Sequence, residues 1–176
     1  KLATAQQELS GGKVRASRVS SHKQHISTLK REIADMKARS FLIAREDPFI
    51  VIPSWMRSYG NQNPFAPNIG DYAAVIFEDR VFPAIVGDSG PTWKVGEASL
   101  RLAREINPKA TPYSRPVSKL HVSYLIFPGS GDSADAPDFE RWHSRVSALL
   151  ERIGGLGKDV KLHQWSNNLV HKGGVD

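Results

Sequence analysis

The chain contains no cysteine, which excludes disulfides, thiolate nucleophiles and Cys-ligated zinc. It has no apolar run of about eighteen residues, so no membrane span is expected. It has no internal repeat and no signal peptide. Residue 1 is Lys rather than Met, which is compatible with an upstream part having been processed away, so the missing signal says little about compartment. What is present is ordinary for a globular protein: 176 residues, 40% hydrophobic and 24% charged, enough for one domain with an appended segment.

The net charge of +6 is unevenly spread. Residues 1–47 hold ten Lys/Arg against five Asp/Glu, and the other 129 hold fourteen against thirteen. A basic arm of this kind can touch nucleic acid, an acidic envelope polymer or a membrane surface. It reads as a solvated leader, and a nucleic-acid partner is not expected. The domain reading is a basic, partly flexible arm over 1–39 and a compact domain over 40–176. Nothing specifies an oligomeric state.

Residues 1–20 show little periodicity and read as flexible. Ser21 and Gln24 have capping-box spacing, and Ile26, Leu29, Ile33 and Met36 then form one apolar stripe on a helix of about four turns. Residues 41–44 and 49–52 are short β-type runs. Residues 53–70 read as a long ordered loop with Trp55, Tyr59 and Phe65 in it. Residues 72–77 and 81–86 predict a hairpin, in which Pro83 argues for an edge or a bulge. A Gly/Pro/Ser loop over 87–96 should lead into a helix from Glu97 to Ile106, stopped by Asn107-Pro108. Residues 122–127 predict a strand and 129–136 an acidic turn. A helix then opens at Pro137, with Asp135 or Ala136 as cap. It buries Phe139, Trp142, Val146, Leu149 and Ile153, and ends at Gly154-Gly155. A short strand is expected within 160–165. The fold class is α+β: a small mixed or antiparallel sheet, barrel-like in one version, with two flanking helices and an N-terminal helical arm.

The stretch that carries chemistry is 70–102, GDYAAVIFEDRVFPAIVGDSGPTWKVGEASLRL. Asp88 follows an apolar strand, and Glu97 comes nine residues later across a loop with Gly87, Gly90, Pro91 and Gly96. Such a bend can face two carboxylates into one cleft, which is what glycosidic cleavage needs. One carboxyl protonates the departing oxygen and the other activates water or attacks the anomeric carbon. The plain alternative is that Asp88 caps a turn and Glu97 complements a helix dipole.

VFPAIVGDSGP and VGEASLRLA, with IGDYAAVI before and VSYLIFPG after, resemble the family 75 glycoside hydrolases, known as fungal endo-chitosanases, over residues 49–130. The resemblance implies an inverting hydrolase of β-1,4-linked amino-sugar polymers, secreted or in the cell envelope, with Asp88 as general base and Glu97 as general acid. It implies no cofactor and no metal. Asp71, Glu78, Asp79 and Asp132 are candidates for holding protonated glucosamine, and Trp93 for stacking on a sugar ring. A carboxylate at a helix N-terminus is favoured in its charged form, whereas a general acid must carry a proton. Either burial and the Asp88 charge outweigh the dipole, or the two roles are exchanged.

Rival readings are weaker. Gly87–Pro91 matches part of the trypsin-like nucleophile motif, but there is no protease-like histidine motif and no room for two barrels. No Gly-Lys-Ser/Thr follows the glycine-rich loop, so a Walker site is excluded. His22 and His25 share a helix face but lack a third metal ligand and read as exposed. A non-catalytic glycan-binding or envelope-associated protein on the same fold is the alternative function.

Overall fold

The computed structural model describes residues 2–12, 14–39, 42–58, 63–114, 121–132 and 136–168. Within helices, nothing is said of the side chains of residues 31, 32, 35–39 and 58. The predicted contribution of Tyr59 lies outside the described residues, as do the cap candidate Asp135, residues 115–119 of an expected Pro-rich connection over 107–119, and the side chain of Met36. The chain divides into two compact units, 1–40 and 41–176.

The first unit is helical: α1 (Leu2–Ser10), a 3-10 turn (Ala16–Arg18) and α2 (Val19–Arg39). Residues 2–10 thus form a helix where the weak periodicity predicted a flexible leader. Burial explains why: Ala5 of α1 and Ile26 of α2 are both shielded from solvent. The capping box is not used, because α2 begins at Val19, and Ser21 Oγ instead donates to the Arg18 carbonyl at 3.0 Å. His22 is half-buried rather than exposed, with Nε2 2.9 Å from the Ala5 carbonyl oxygen.

The second unit is built on a curled mixed sheet. Its strands are β1 (Phe49–Pro53), β2 (Tyr72–Phe77), β3 (Arg80–Gly90), β4 (Glu97–Ala98), β5 (Val122–Ile126) and β6 (Lys161–Leu162). The order is β4-β1-β3-β2-β5, with β6 beside the start of β3. β1 and β6 run parallel to β3, and the other pairings are antiparallel. Although β4 and β5 are opposite ends of this path, the Tyr124 hydroxyl of β5 donates to the Glu97 carbonyl of β4 at 3.3 Å. That contact requires a sheet curled toward closure.

Three helices accompany the sheet: α3 (Ser54–Ser58), α4 (Leu100–Ile106) and α5 (Phe139–Glu151). α5 packs on β2 and β3 through Phe139, Trp142, Val146 and Leu150. Leu149 is half-buried and Ile153 is exposed, so the buried stripe leaves the expected line in the last turn. Its cap is Asp138, whose side chain accepts from the Arg141 N–H at 3.0 Å, in place of Asp135 or Ala136.

Pro83 sits in the middle of β3, neither on an outer strand nor at the bulge. Its carbonyl points away from β2 and accepts from Trp165 Nε1 at 2.7 Å. On an antiparallel strand the N–H side of a residue faces the same way as its carbonyl. The missing donor therefore falls in the gap between the β6 partners, Arg80 and Val81, and the β1 partners, which start at Ile85. No ladder bond is lost.

Residues 42–47 form a turn rather than a strand. The buried Asp47 carboxylate accepts from the Ile43 N–H and closes the turn. Burial raises the Asp47 pKa despite that bond.

Candidate active site

The site begins with a misfit in the sheet. Phe49 pairs with Ile85 and Ile50 with Val86, but Val51 pairs with Asp88, so Gly87 is an extra residue in β3. Strict alternation would put Asp88 on the face opposite Ile85. The bulge returns it to the Ile85 face. Only glycine fits at the bulge: a Cβ on residue 87 would lie 2.5 Å from Cγ of Phe49.

Glu97 reaches the same face from the other side. Val51 pairs with Asp88 across β3 and with Glu97 across β4, so these three residues form one row across the sheet. Residues paired across a sheet point to one face, and two strand spacings put the Cα atoms of Asp88 and Glu97 roughly 9.6 Å apart. The Glu97 carboxylate leans back over β3. Its Oε2 is 2.7 Å from where a Cβ of Gly90 would be, and Val51 Cγ1 is 3.1 Å from that point. Asp88 and Gly90 are two residues apart on one strand face, so the Glu97 carboxylate and Asp88 face the same strip of sheet.

Glu97 lies in β4, not in a helix. α4 starts at Leu100, and the buried Ser99 caps it by accepting from the Leu102 N–H at 3.3 Å. The dipole objection to a protonated Glu97 rests on a helix start three residues too early, and the dipole acts mainly within the first turn. The expected loop over 87–96 shortens to 91–96, because β3 runs on to Gly90.

Around the pair, Asp88 is exposed and accepts from the Ser89 N–H at 2.7 Å. Glu97 is half-buried and ion-paired with Lys94. Tyr124, whose hydroxyl reaches the Glu97 backbone, has its pKa pushed up to about 12, first by burial and then by the Glu97 charge. It therefore stays a protonated donor. The loop between the carboxylates carries Trp93, which is 81% exposed. Ser54 Oγ, at the start of α3, is 2.9 Å from Thr92 Oγ1, which ties Trp55 and Trp93 to the same end of the sheet. The placement of Trp55 on a helix was missed, since residues 53–70 gave no helical periodicity.

The other acidic candidates do not join the pair. Asp71 is 2% exposed and accepts from the Asn68 N–H at 2.7 Å and the Gly131 N–H at 3.1 Å. It is a staple between two loops, out of reach of a polymer. Asp132 accepts from the Tyr72 hydroxyl at 2.8 Å and from Arg145 at 3.1 Å, with Arg141 3.9 Å away, so its charge is already compensated. Glu78 and Asp79 form the β2–β3 turn. That turn and Asp88 are about 30 Å apart along β3 by strand rise. Among the described residues, no group of three His, Cys, Asp or Glu could hold a metal.

The curled sheet thus carries two carboxylates in one row, with exposed aromatics at the same end. A sequence model described as fungal chitosanase of glycosyl hydrolase group 75 matches residues 7–161. The chain belongs to this family. The match is wider than the 49–130 resemblance and takes in most of the N-terminal unit. No curated protein matches the chain. As a family 75 member it is a chitosanase-type glycoside hydrolase with a polysaccharide substrate. No helix among the described residues is long and apolar enough to cross a membrane.

Proposed function

We propose that this family 75 protein cleaves internal β-1,4 links of chitosan or a related amino-sugar polymer with inversion. Asp88 acts as general base for water and Glu97 as general acid for the departing oxygen. The observation that carries the reading is the row Asp88–Val51–Glu97, whose pairing turns both acidic side chains to one face of the sheet. Inverting enzymes leave roughly 6.5–9.5 Å for the attacking water, whereas a nucleophile needs about 5–5.5 Å.

In the proposed step the sugar ring lies over Val51. A water held by Asp88 attacks the anomeric carbon and gives its proton to the Asp88 carboxylate. The bond to the leaving oxygen breaks as Glu97 supplies a proton to it, and the anomeric configuration inverts. Asp88 is open to water, and Glu97 is ion-paired with Lys94 and receives the Tyr124 hydroxyl at its backbone carbonyl. Trp93 and Trp55, both exposed, supply apolar faces for neighbouring sugars. Secretion to the envelope or beyond suits a polymer substrate.

A reducing-end assay on chitosan, chitin and peptidoglycan tests the reading. Wild type should release ends from at least one of the three, and Asp88→Asn and Glu97→Gln should each lose about 10²–10⁴-fold in rate while staying folded. Wild type that binds these glycans but releases no ends would establish a binding protein instead.

A further inference from the structure

The two units carry different charge. Residues 1–40 hold nine Lys/Arg against three Asp/Glu, while residues 41–176 hold fifteen of each, so the whole net charge of the protein belongs to the N-terminal unit. Chitosan is itself cationic in mildly acidic water. A cationic unit is badly matched to that substrate and well matched to an anion.

The N-terminal unit also has a place to put one. Between α1 and the start of α2 lies an open cavity of about 750 Å³, lined by Arg15, Arg18, Ser21, His22 and His25 on one side and Glu8 on the other. Arg15 immediately precedes the 3-10 turn and Arg18 ends it, and both lie along one edge of the cavity. Arg18, His22 and His25 continue that edge at helical spacing on α2. Neither guanidinium makes a hydrogen bond or ion pair within the described residues. His22 is committed to the Ala5 carbonyl at 2.9 Å and lies 3.7 Å from the Glu8 carboxylate, so the one acid at the cavity faces a histidine. The His25 ring stands 6.5 Å from the His22 ring. Two planar guanidinium forks on one edge match the oxygens of a phosphate, which they can bind in paired fashion. The cavity is larger than a bare ion and suits an organic ester.

We propose that this elbow binds a phosphate ester through Arg15 and Arg18, separately from glycan cleavage. A soluble ester and a phospholipid headgroup share this chemistry.

The test uses the full chain with two probes, glycerol phosphate in solution and phosphatidylglycerol vesicles. Chloride at matched ionic strength and phosphatidylcholine vesicles are the controls. Saturable binding of either probe above its control is expected, and the stronger arm identifies the source. The double variant Arg15→Gln/Arg18→Gln should weaken it about tenfold or more while chitosan cleavage is unchanged. Lys23→Gln/Lys30→Gln removes the same charge from exposed positions of α2 away from the cavity and should leave most of the binding. Binding no better than the controls would overturn the proposal. So would an equal loss in the two double variants, because it would reduce the effect to the general field of a basic unit.

Discussion

Asp88 and Asp71 are both carboxylates beside the same β-sheet, yet they occupy opposite situations. Asp71 is buried and takes N–H donors from two loops, which it holds together. Asp88 is exposed and, among the described residues, accepts only from the N–H of its own neighbour. Asp132 belongs with Asp71, since a tyrosine and an arginine already claim it. A carboxylate saturated by the fold stabilises the fold, and one left open can meet water and substrate. Composition cannot tell the two kinds apart, but their partners can.

The widest separation should come from exchanging the insult between these two positions. Asp88→Asn is expected to cut chitosan hydrolysis by about 10²–10⁴-fold with little change in melting temperature. Asp71→Ala should do the reverse: about 2 kcal/mol less stable, because two part-buried N–H groups lose their acceptor, with activity per folded molecule largely kept. Steady-state rates paired with urea unfolding would read both.

Gly87→Ala attacks the device that puts Asp88 on its face. A Cβ there meets the Phe49 ring at 2.5 Å. Overpacking of this kind costs about 2 kcal/mol. Activity should fall further than stability explains, since a shifted bulge turns Asp88 from Glu97. Activity restored in Phe49→Ala/Gly87→Ala would support a steric cause.

A smaller effect should appear at alkaline pH on the saturated side. Burial first, and then the bond to Asp132 and its charge, push the Tyr72 pKa up to about 12 from an ordinary 10.0. A raised folded pKa gives stability that is full below pH 10 and is lost as pH rises toward 12. Tyr72→Phe should flatten that decline in a pH series of unfolding midpoints. The mildest change is expected for Trp93→Ala, a rise in KM of a few fold with kcat nearly kept, because an exposed indole contributes stacking and not proton transfer.

Local signals in the sequence delivered the local structure. The apolar run at 72–77, the strand at 122–126 and the amphipathic helix over 139–151 depend on neighbours in the chain, and each was readable, although the helix stops at Glu151, short of the expected Gly154-Gly155. So was the closeness of Asp88 and Glu97, which pair with Val51 from either side. What was not readable depends on distant partners. Glu97 is a strand residue because Val51 pairs with it, and no property of 97–98 signals a two-residue strand. The Gly87 bulge follows from register against β1, almost forty residues earlier. α1 had too weak a stripe to be recognised, and Ala5 is buried only once α2 is beside it. Asp71 and Asp132 looked like free surface charge because Asn68, Gly131, Tyr72 and Arg145 reach them only after folding.

The central claim is that the water attacks from one side of the sugar while Glu97 protonates from the other. Time-resolved NMR of a chitosan oligomer during cleavage tests it most directly. The account predicts that the new reducing end appears first as the α-anomer and only later mutarotates. A β-anomer formed first would mean retention, and would contradict a general-base role for Asp88.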